Sequence, residues 1–160
     1  MAAALASLKI NTEMAKKVME AHIESKGLNY TRRADGRLSV PFDGFTIYFA
    51  ARDHQKNIVS LTSTLDDNIS GNRQLGVACK YAAKINYSLN VGSVQIDVSD
   101  GEVTFYHAVP LEGMSALDGG ALLRSWFDLI CAAFSHYYPG LKVIVSGGSI
   151  EQADRAVSNS

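Results

Sequence analysis

Phe45-Thr46-Ile47-Tyr48-Phe49 and Val94-Gln95-Ile96-Asp97-Val98 alternate apolar and polar residues on either side of a helical stretch at about 73–88. A strand sends successive side chains to opposite faces, so each run has one face for a core and one for water. Outward from these runs the pattern order is helix, three strands, helix, two strands and a long helix. That order predicts an α+β fold: a single domain with an antiparallel sheet of about five strands and helices packed on one side, in the order α-βββ-α-ββ-α.

The chain has 160 residues, 47% of them apolar. That suits one core closed without metals or disulfides. Formal net charge is −1, which argues against nucleic-acid binding. Residues 1–56 carry nine Lys/Arg and six Asp/Glu, and the remainder six and ten. Cys79 and Cys131 fall in helical patterns and read as small buried apolar residues. Met1–Leu8 is apolar but too short for a secretory signal and lacks its basic flank. No apolar run reaches the length of a membrane span. The expectation is a cytoplasmic protein of bacterial style with no membrane partner.

The domain is expected over residues 12–157, with 1–11 as a flexible N-terminal arm. The first helix is predicted from Thr12 to Lys26, capped by Asn11 or Thr12 and stopped by Gly27, with Met14, Val18, Ala21 and His22 on one face. Turns at Asp35-Gly36 and Asp43-Gly44 delimit strands at about 37–42 and 45–52, after a short extended piece at 28–32. A third strand is expected at about 57–65. In the second helix Leu75, Ala78, Cys79, Ala82, Ile85 and Leu89 form one stripe. Gly76 inside it costs ~1 kcal/mol against alanine, and close packing is the expected compensation. Strands at about 92–98 and 102–110 are joined by Ser99-Asp100-Gly101. Ser115 and Asp118 cap the third helix, which Pro139-Gly140 ends. Leu141–Val145 reads as either strand or helical turn, and Ser149 caps a short terminal helix.

Two surfaces follow. Phe45, Ile47, Phe49, Val94, Ile96, Val98, Val103 and Phe105 share the core face of the sheet. Its other face carries Thr46, Tyr48, Gln95 and Tyr106, the candidate partner-binding residues, with Asp97 and Thr104 beside them. The third helix is apolar nearly all round, with Arg124, Asp128 and Ser135 as its polar stripe. Its surplus residues Leu123, Phe127, Ile130 and Phe134 are the candidate dimer interface, and Trp126 reads as core or dimer contact.

Chemistry-bearing motifs are missing. His22, His54, His107 and His136 have no i, i+4 pair, and neither cysteine makes a CxxC, so no metal is expected. Asp66-Asp67 lacks calcium-loop spacing, and Asp100 and Glu102 flank a turn glycine. No phosphate loop or GxSxG elbow is present. No cofactor and no catalytic residue are expected.

Ala83-Lys84-Ile85-Asn86, Gly92-Ser93-Val94-Gln95-Ile96-Asp97 and Asp100-Gly101-Glu102-Val103 resemble the YbjN family of sensory transduction regulators. So do Tyr137-Tyr138-Pro139-Gly140-Leu141, Gly147-Gly148 and Ser149-Ile150-Glu151-Gln152-Ala153. The resemblance covers about residues 12–157, though the first fifty match only in pattern. It implies a type III secretion chaperone-like fold, often a homodimer, whose surface holds an extended segment of another protein. It implies no catalytic residues. The expected function is therefore a non-enzymatic protein-interaction module, chaperone-like or a regulatory adaptor. The alternative is a small-ligand sensor with a pocket between sheet and helices.

Overall fold

The computed structural model describes residues 7–42, 44–52 and 58–159. Most of the expected N-terminal arm, Asp43 of the second turn signal, His54 and Asn57 lie outside the described residues. In chain order the elements are α1 (Thr12–Ser25), β1 (Thr31–Arg32), β2 (Leu38–Phe42), β3 (Phe45–Arg52), β4 (Ile58–Thr64), α2 (Asn72–Ser88), β5 (Ser93–Ile96), β6 (Val103–Pro110), α3 (Ala116–Val145) and α4 (Ile150–Ser158). The strands form one sheet in the order β1-β2-β3-β4-β6-β5. Pairings β1–β2, β2–β3 and β5–β6 are antiparallel. The α+β architecture is the one expected, with a sixth strand from the extended piece before the first turn.

By contacts the chain divides into two compact units: Met1–Leu61 with Ala108–Leu129, and Thr62–His107 with Ile130–Ser160. In the first unit, α1 begins where the Asn11 side chain accepts the Met14 N–H at 2.9 Å. It ends at Gly27, whose φ of +69° lets the Leu28 N–H reach back to the Ile23 carbonyl at 3.1 Å. A residue with a Cβ resists that left-handed conformation. The buried stripe is Ala15, Met19, His22 and Ile23 rather than one centred on Met14 and Val18; α1 packs against β3. The register pairs Leu38 with Phe49, Val40 with Ile47 and Ser39 with Tyr48, so one face of the ladder is apolar and buried. The end of the supposed arm is tied down. Lys9 bridges Ser115, the Ile10 N–H donates to the Met114 carbonyl at 3.1 Å, and Ile10 is buried. Gly119 makes room for it, since a Cβ there would sit 2.8 Å from an Ile10 methyl.

In the second unit, Tyr81, Ile85, Val94, Val103, Phe105, Phe134, Leu141, Ile144 and Ala153 are buried. Three expectations change here. Val98 is 68% exposed and Ile96 only half-buried. The cause is Asp97: its Oδ1 accepts the Ser99 N–H and hydroxyl at 2.8 and 2.6 Å, and its carbonyl accepts the Gly101 N–H at 2.8 Å. A side chain that closes its own turn ends the strand at Ile96, two residues before Val98. Cys79 is exposed whereas Cys131 is buried, because the α2 stripe runs through Ala78, Tyr81, Ala82 and Ile85.

The third change is larger. Helix α3 passes through Pro139 and Gly140 and continues to Val145, which settles Leu141–Val145 as helix. Proline removes one backbone hydrogen bond and crowds the preceding turn. The helix persists because Leu141 and Ile144, both buried, continue its apolar stripe past the proline. Gly140 serves packing instead of termination. A Cβ there would press into the Tyr81 hydroxyl and lie 2.8 Å from a Val157 methyl and 3.1 Å from the Ala153 carbonyl. Gly76 is the opposite case: a Cβ would meet nothing within 4 Å, so the expected compensating contact is missing.

Two helical glycines should therefore respond with opposite signs to alanine. Gly76→Ala should stabilise by about 0.5–1 kcal/mol, the helix-propensity difference. Gly140→Ala should destabilise by about 1–3 kcal/mol through overpacking. In the sheet, Phe49→Ala should cost about 3–5 kcal/mol, while Val98→Ala should stay within about 0.5 kcal/mol. Urea titrations of the four variants check both pairs; equal effects at Phe49 and Val98 would reject the strand register.

Candidate functional site: the open face of the sheet

Burying one face of each ladder leaves the other partly exposed. In the first unit that face carries Thr31, Ser39, Pro41, Thr46 and Tyr48, none of them buried. The β1–β2 hairpin closes with the Arg33 N–H on the Arg37 carbonyl at 2.8 Å and the Gly36 N–H on the Arg33 carbonyl at 2.9 Å. By the period of two, Arg33 and Arg37 then stand on the same face as Ser39 and Tyr48. The Arg33 and Arg37 guanidinium carbons lie 5.6 and 5.4 Å from the Tyr48 ring centroid, within cation–π range. Asp35 holds Arg37 there: its carboxylate accepts from Arg37 Nε at 2.8 Å and Nη2 at 2.7 Å. The guanidinium donors in turn keep the Asp35 carboxyl below the usual carboxylate range.

In the second unit, taken by itself, the exposed side of the ladder carries Thr62, Thr64, Ser93, Gln95, Thr104 and Tyr106. Gln95 is exposed and Tyr106 half-buried. The Thr64 and Thr104 hydroxyls bond at 3.0 Å, and the Thr104 hydroxyl also donates to Glu102 Oε1 at 3.2 Å. The structure therefore puts Thr46 with Tyr48 in one unit and Gln95 with Tyr106 in the other.

An open sheet edge is the usual template for strand addition. At β5, however, the Asn86 amide of α2 donates to the Val94 carbonyl at 3.0 Å and accepts the Val94 N–H at 2.7 Å. One side chain thus occupies both backbone groups of Val94. Main-chain augmentation is thereby blocked at Val94.

The candidate dimer residues are elsewhere than expected. Leu123, Phe127, Ile130 and Phe134 are each no more than 2% exposed. They belong to the chain's own core, and so cannot form an interface as they stand. Helical geometry supplies the reason: with the apolar positions of α3 all round, tertiary packing takes one side and leaves the next. The side left partly exposed is Leu122, Trp126 and Leu129, at i, i+4 and i+7, with Leu129 47% exposed.

Two groups of titratable side chains are held within the chain's own interior. In the first unit, buried His22 shares a hydrogen bond of 2.9 Å with Asp128 Oδ1, and Lys26 donates to Asp128 Oδ2 at 3.0 Å. Burial pushes the Asp128 carboxyl up, but these two donors outweigh it and hold it below its ordinary range. In the second unit, burial lowers the His107 pKa and pushes that of the Tyr81 phenol up to about 12. Among the described residues no cluster of three or more His, Cys, Asp or Glu has the arrangement to hold a metal ion. The described residues line depressions in both units. One of about 290 Å³ in the first unit is lined by Lys16, Asp35, Arg37 and Ala50, with Asp35 and Arg37 already paired. One of about 350 Å³ in the second is lined by Ser70, Arg73, Gln74 and Gly147–Ser149, and the Gln74 amide donates to the Ile144 and Gly148 carbonyls. No helix among the described residues is long and apolar enough to cross a membrane.

Comparison with known proteins adds the fold. YbjN from E. coli superposes with a TM-score of 0.52 at 14% identity, covering 76% of this chain and 90% of that one. The fold is YbjN-like. A chain of the HopA1–SchA chaperone–effector complex gives a TM-score of 0.46 at 14% identity, covering 73% and 95% of the two chains. The Yersinia pestis type III secretion chaperone SycH, in complex with a fragment of YscM2, gives 0.43 at 15%, covering 74% and 98%. No protein-family model and no curated protein matches the sequence. The YbjN-like fold agrees with the resemblance carried by the hairpin and helix-end motifs. The approach of Arg33 and Arg37 to Tyr48 and the Asn86 clasp on Val94 were not read from sequence. The first had a usable signal: a two-sided hairpin at Asp35-Gly36 sets Arg33 opposite Arg37.

Proposed function

We propose that this chain is a non-enzymatic protein-binding module that holds an extended polypeptide segment on the open face of its sheet. The observation that carries the reading is that face itself. In each unit, tyrosine, threonine and other uncharged hydrogen-bonding side chains stand part-exposed on a rigid ladder whose opposite side is buried. Tyrosine couples flat apolar area to a polar tip at low entropic cost, which suits recognition of peptide surfaces. Thr46, Tyr48, Gln95 and Tyr106 are the residues assigned to contact the segment. The clasp of Asn86 on Val94 supports face binding over strand addition at that edge. The proposal places the protein in the cytoplasm as a homodimer, formed by the Leu122, Trp126 and Leu129 stripe of α3 and not by the residues beneath it.

Display of a random peptide library against the immobilised chain tests the binding face. The native chain should enrich a set of sequences, and the double variant Tyr48→Ser, Tyr106→Ser should enrich none while keeping its circular dichroism spectrum. Enrichment of the same set by both proteins would remove the face from consideration. Sedimentation tests the association. The native chain should run near twice its 17.3 kDa mass at micromolar concentration, and Leu129→Glu should return it to a monomer. A native chain that stays monomeric rejects the dimer and leaves the binding face to be judged by the peptides.

A further inference from the structure

We propose that the open face in the first unit selects an acidic extended segment, with Arg33 meeting a carboxylate of that segment and Tyr48 as the flat platform beside it. This rests on the protein-binding reading above and names the chemistry of the partner. Two guanidiniums over one ring repel each other unless one is neutralised. Asp35 neutralises Arg37 through contacts of 2.7 and 2.8 Å. The adjacent Arg32 is likewise paired, its Nε lying 2.8 Å from Glu20. Arg33 has no carboxylate within ion-pair distance among the described residues. The hairpin therefore presents one uncompensated positive charge, held against the Tyr48 ring at 5.6 Å.

The surroundings are complementary to a carboxylate. Thr31, Ser39, Pro41, Thr46 and Tyr48 bring no negative charge to that part of the face. Among the described residues of β1, β2, β3 and the β1–β2 hairpin, the acid that would repel an arriving carboxylate is Asp35, which Arg37 already screens. Guanidinium is the cation best matched to a carboxylate, because its planar fork donates two parallel hydrogen bonds. Its position over the Tyr48 ring restrains the side chain in advance, so less side-chain entropy is lost on binding. A single surplus cation also separates a carboxylate partner from a nucleic acid. Phosphate-backbone binding draws on several neutralised charges, and this chain has a formal net charge of −1. An extended segment repeats the same side every second residue, about 6.6–7 Å apart, so an alternating acidic–apolar sequence sets its acids towards the sheet.

The test uses the full chain and three labelled eight-residue peptides that alternate valine with Glu, Gln or Lys, read by fluorescence anisotropy. The Glu peptide should bind about tenfold more tightly than the Gln peptide, and the Lys peptide more weakly still, with the difference shrinking as salt rises. Arg33→Gln should lower Glu-peptide affinity about tenfold and leave the Gln peptide unchanged, which isolates the charge pair. Equal binding of all three peptides, insensitive to Arg33→Gln, overturns the acidic preference and leaves the protein-binding reading standing. No binding of any peptide at millimolar concentration overturns both. Tighter binding of oligouridylate than of the Glu peptide overturns the inference in favour of a nucleic-acid surface.

Discussion

Strict two-residue alternation in the central strands is the constraint on which the rest of this structure depends. Leu38, Val40, Ile47 and Phe49 lie in one antiparallel ladder, and each is at most 2% exposed. Burial of a large apolar side chain is worth about 1.5–3 kcal/mol, so a slip of one residue would expose this set together and cannot compete. The same alternation pushes Thr46 and Tyr48 out on the other side. In the second unit, burying Val103 and Phe105 places Thr104 and Tyr106 outward for the same reason. The candidate binding face is thus a by-product of the core, positioned by backbone geometry.

Turn chemistry decides where that alternation stops. Asp97 captures the Ser99 N–H and ends β5, so Asp97 and Val98 belong to the hairpin turn instead of the ladder. Asp35 plays a related part at the β1–β2 hairpin, accepting the Arg37 N–H at 3.1 Å while its carboxylate also pairs with the Arg37 side chain. One short acidic residue thereby shapes a turn and sets the charge of the face next to it. At the far edge Asn86 covers Val94. Natural sheets guard exposed edges against indiscriminate pairing, and an amide that both donates and accepts is well suited to that task. Under the proposed function, recognition then falls to the face, where side chains and their charges discriminate among partners.

Helix α3 shows the limit of local rules. Pro139-Gly140 is a strong stop signal by propensity, worth about 3 kcal/mol against helix at the proline. Burial of Leu141 and Ile144 beyond it supplies a comparable amount in favour of continuation. Gly140 then permits close approach of Tyr81, Val157 and Ala153. The same helix is apolar on most sides; periodicity alone pointed to Leu123, Phe127, Ile130 and Phe134 as the surplus side, and packing buries them instead.

By itself the sequence determined the α+β class, the positions of most elements, the identity of the open-face residues and the YbjN resemblance, because periodicity, caps and turn signals are local. The caps at Asn11 and Ser149 and the stop at Gly27 were legible for that reason. Tertiary structure alone decided what depends on neighbours distant in sequence. It carried α3 past its proline, turned Cys79 outward, fastened Leu8–Ile10 to residues 114–116, and sank Leu123, Phe127, Ile130 and Phe134 into the core. It also brought the guanidiniums of Arg33 and Arg37 over Tyr48. A charge left without a partner is a property of three-dimensional surroundings, and a one-dimensional pattern of residue types does not contain it.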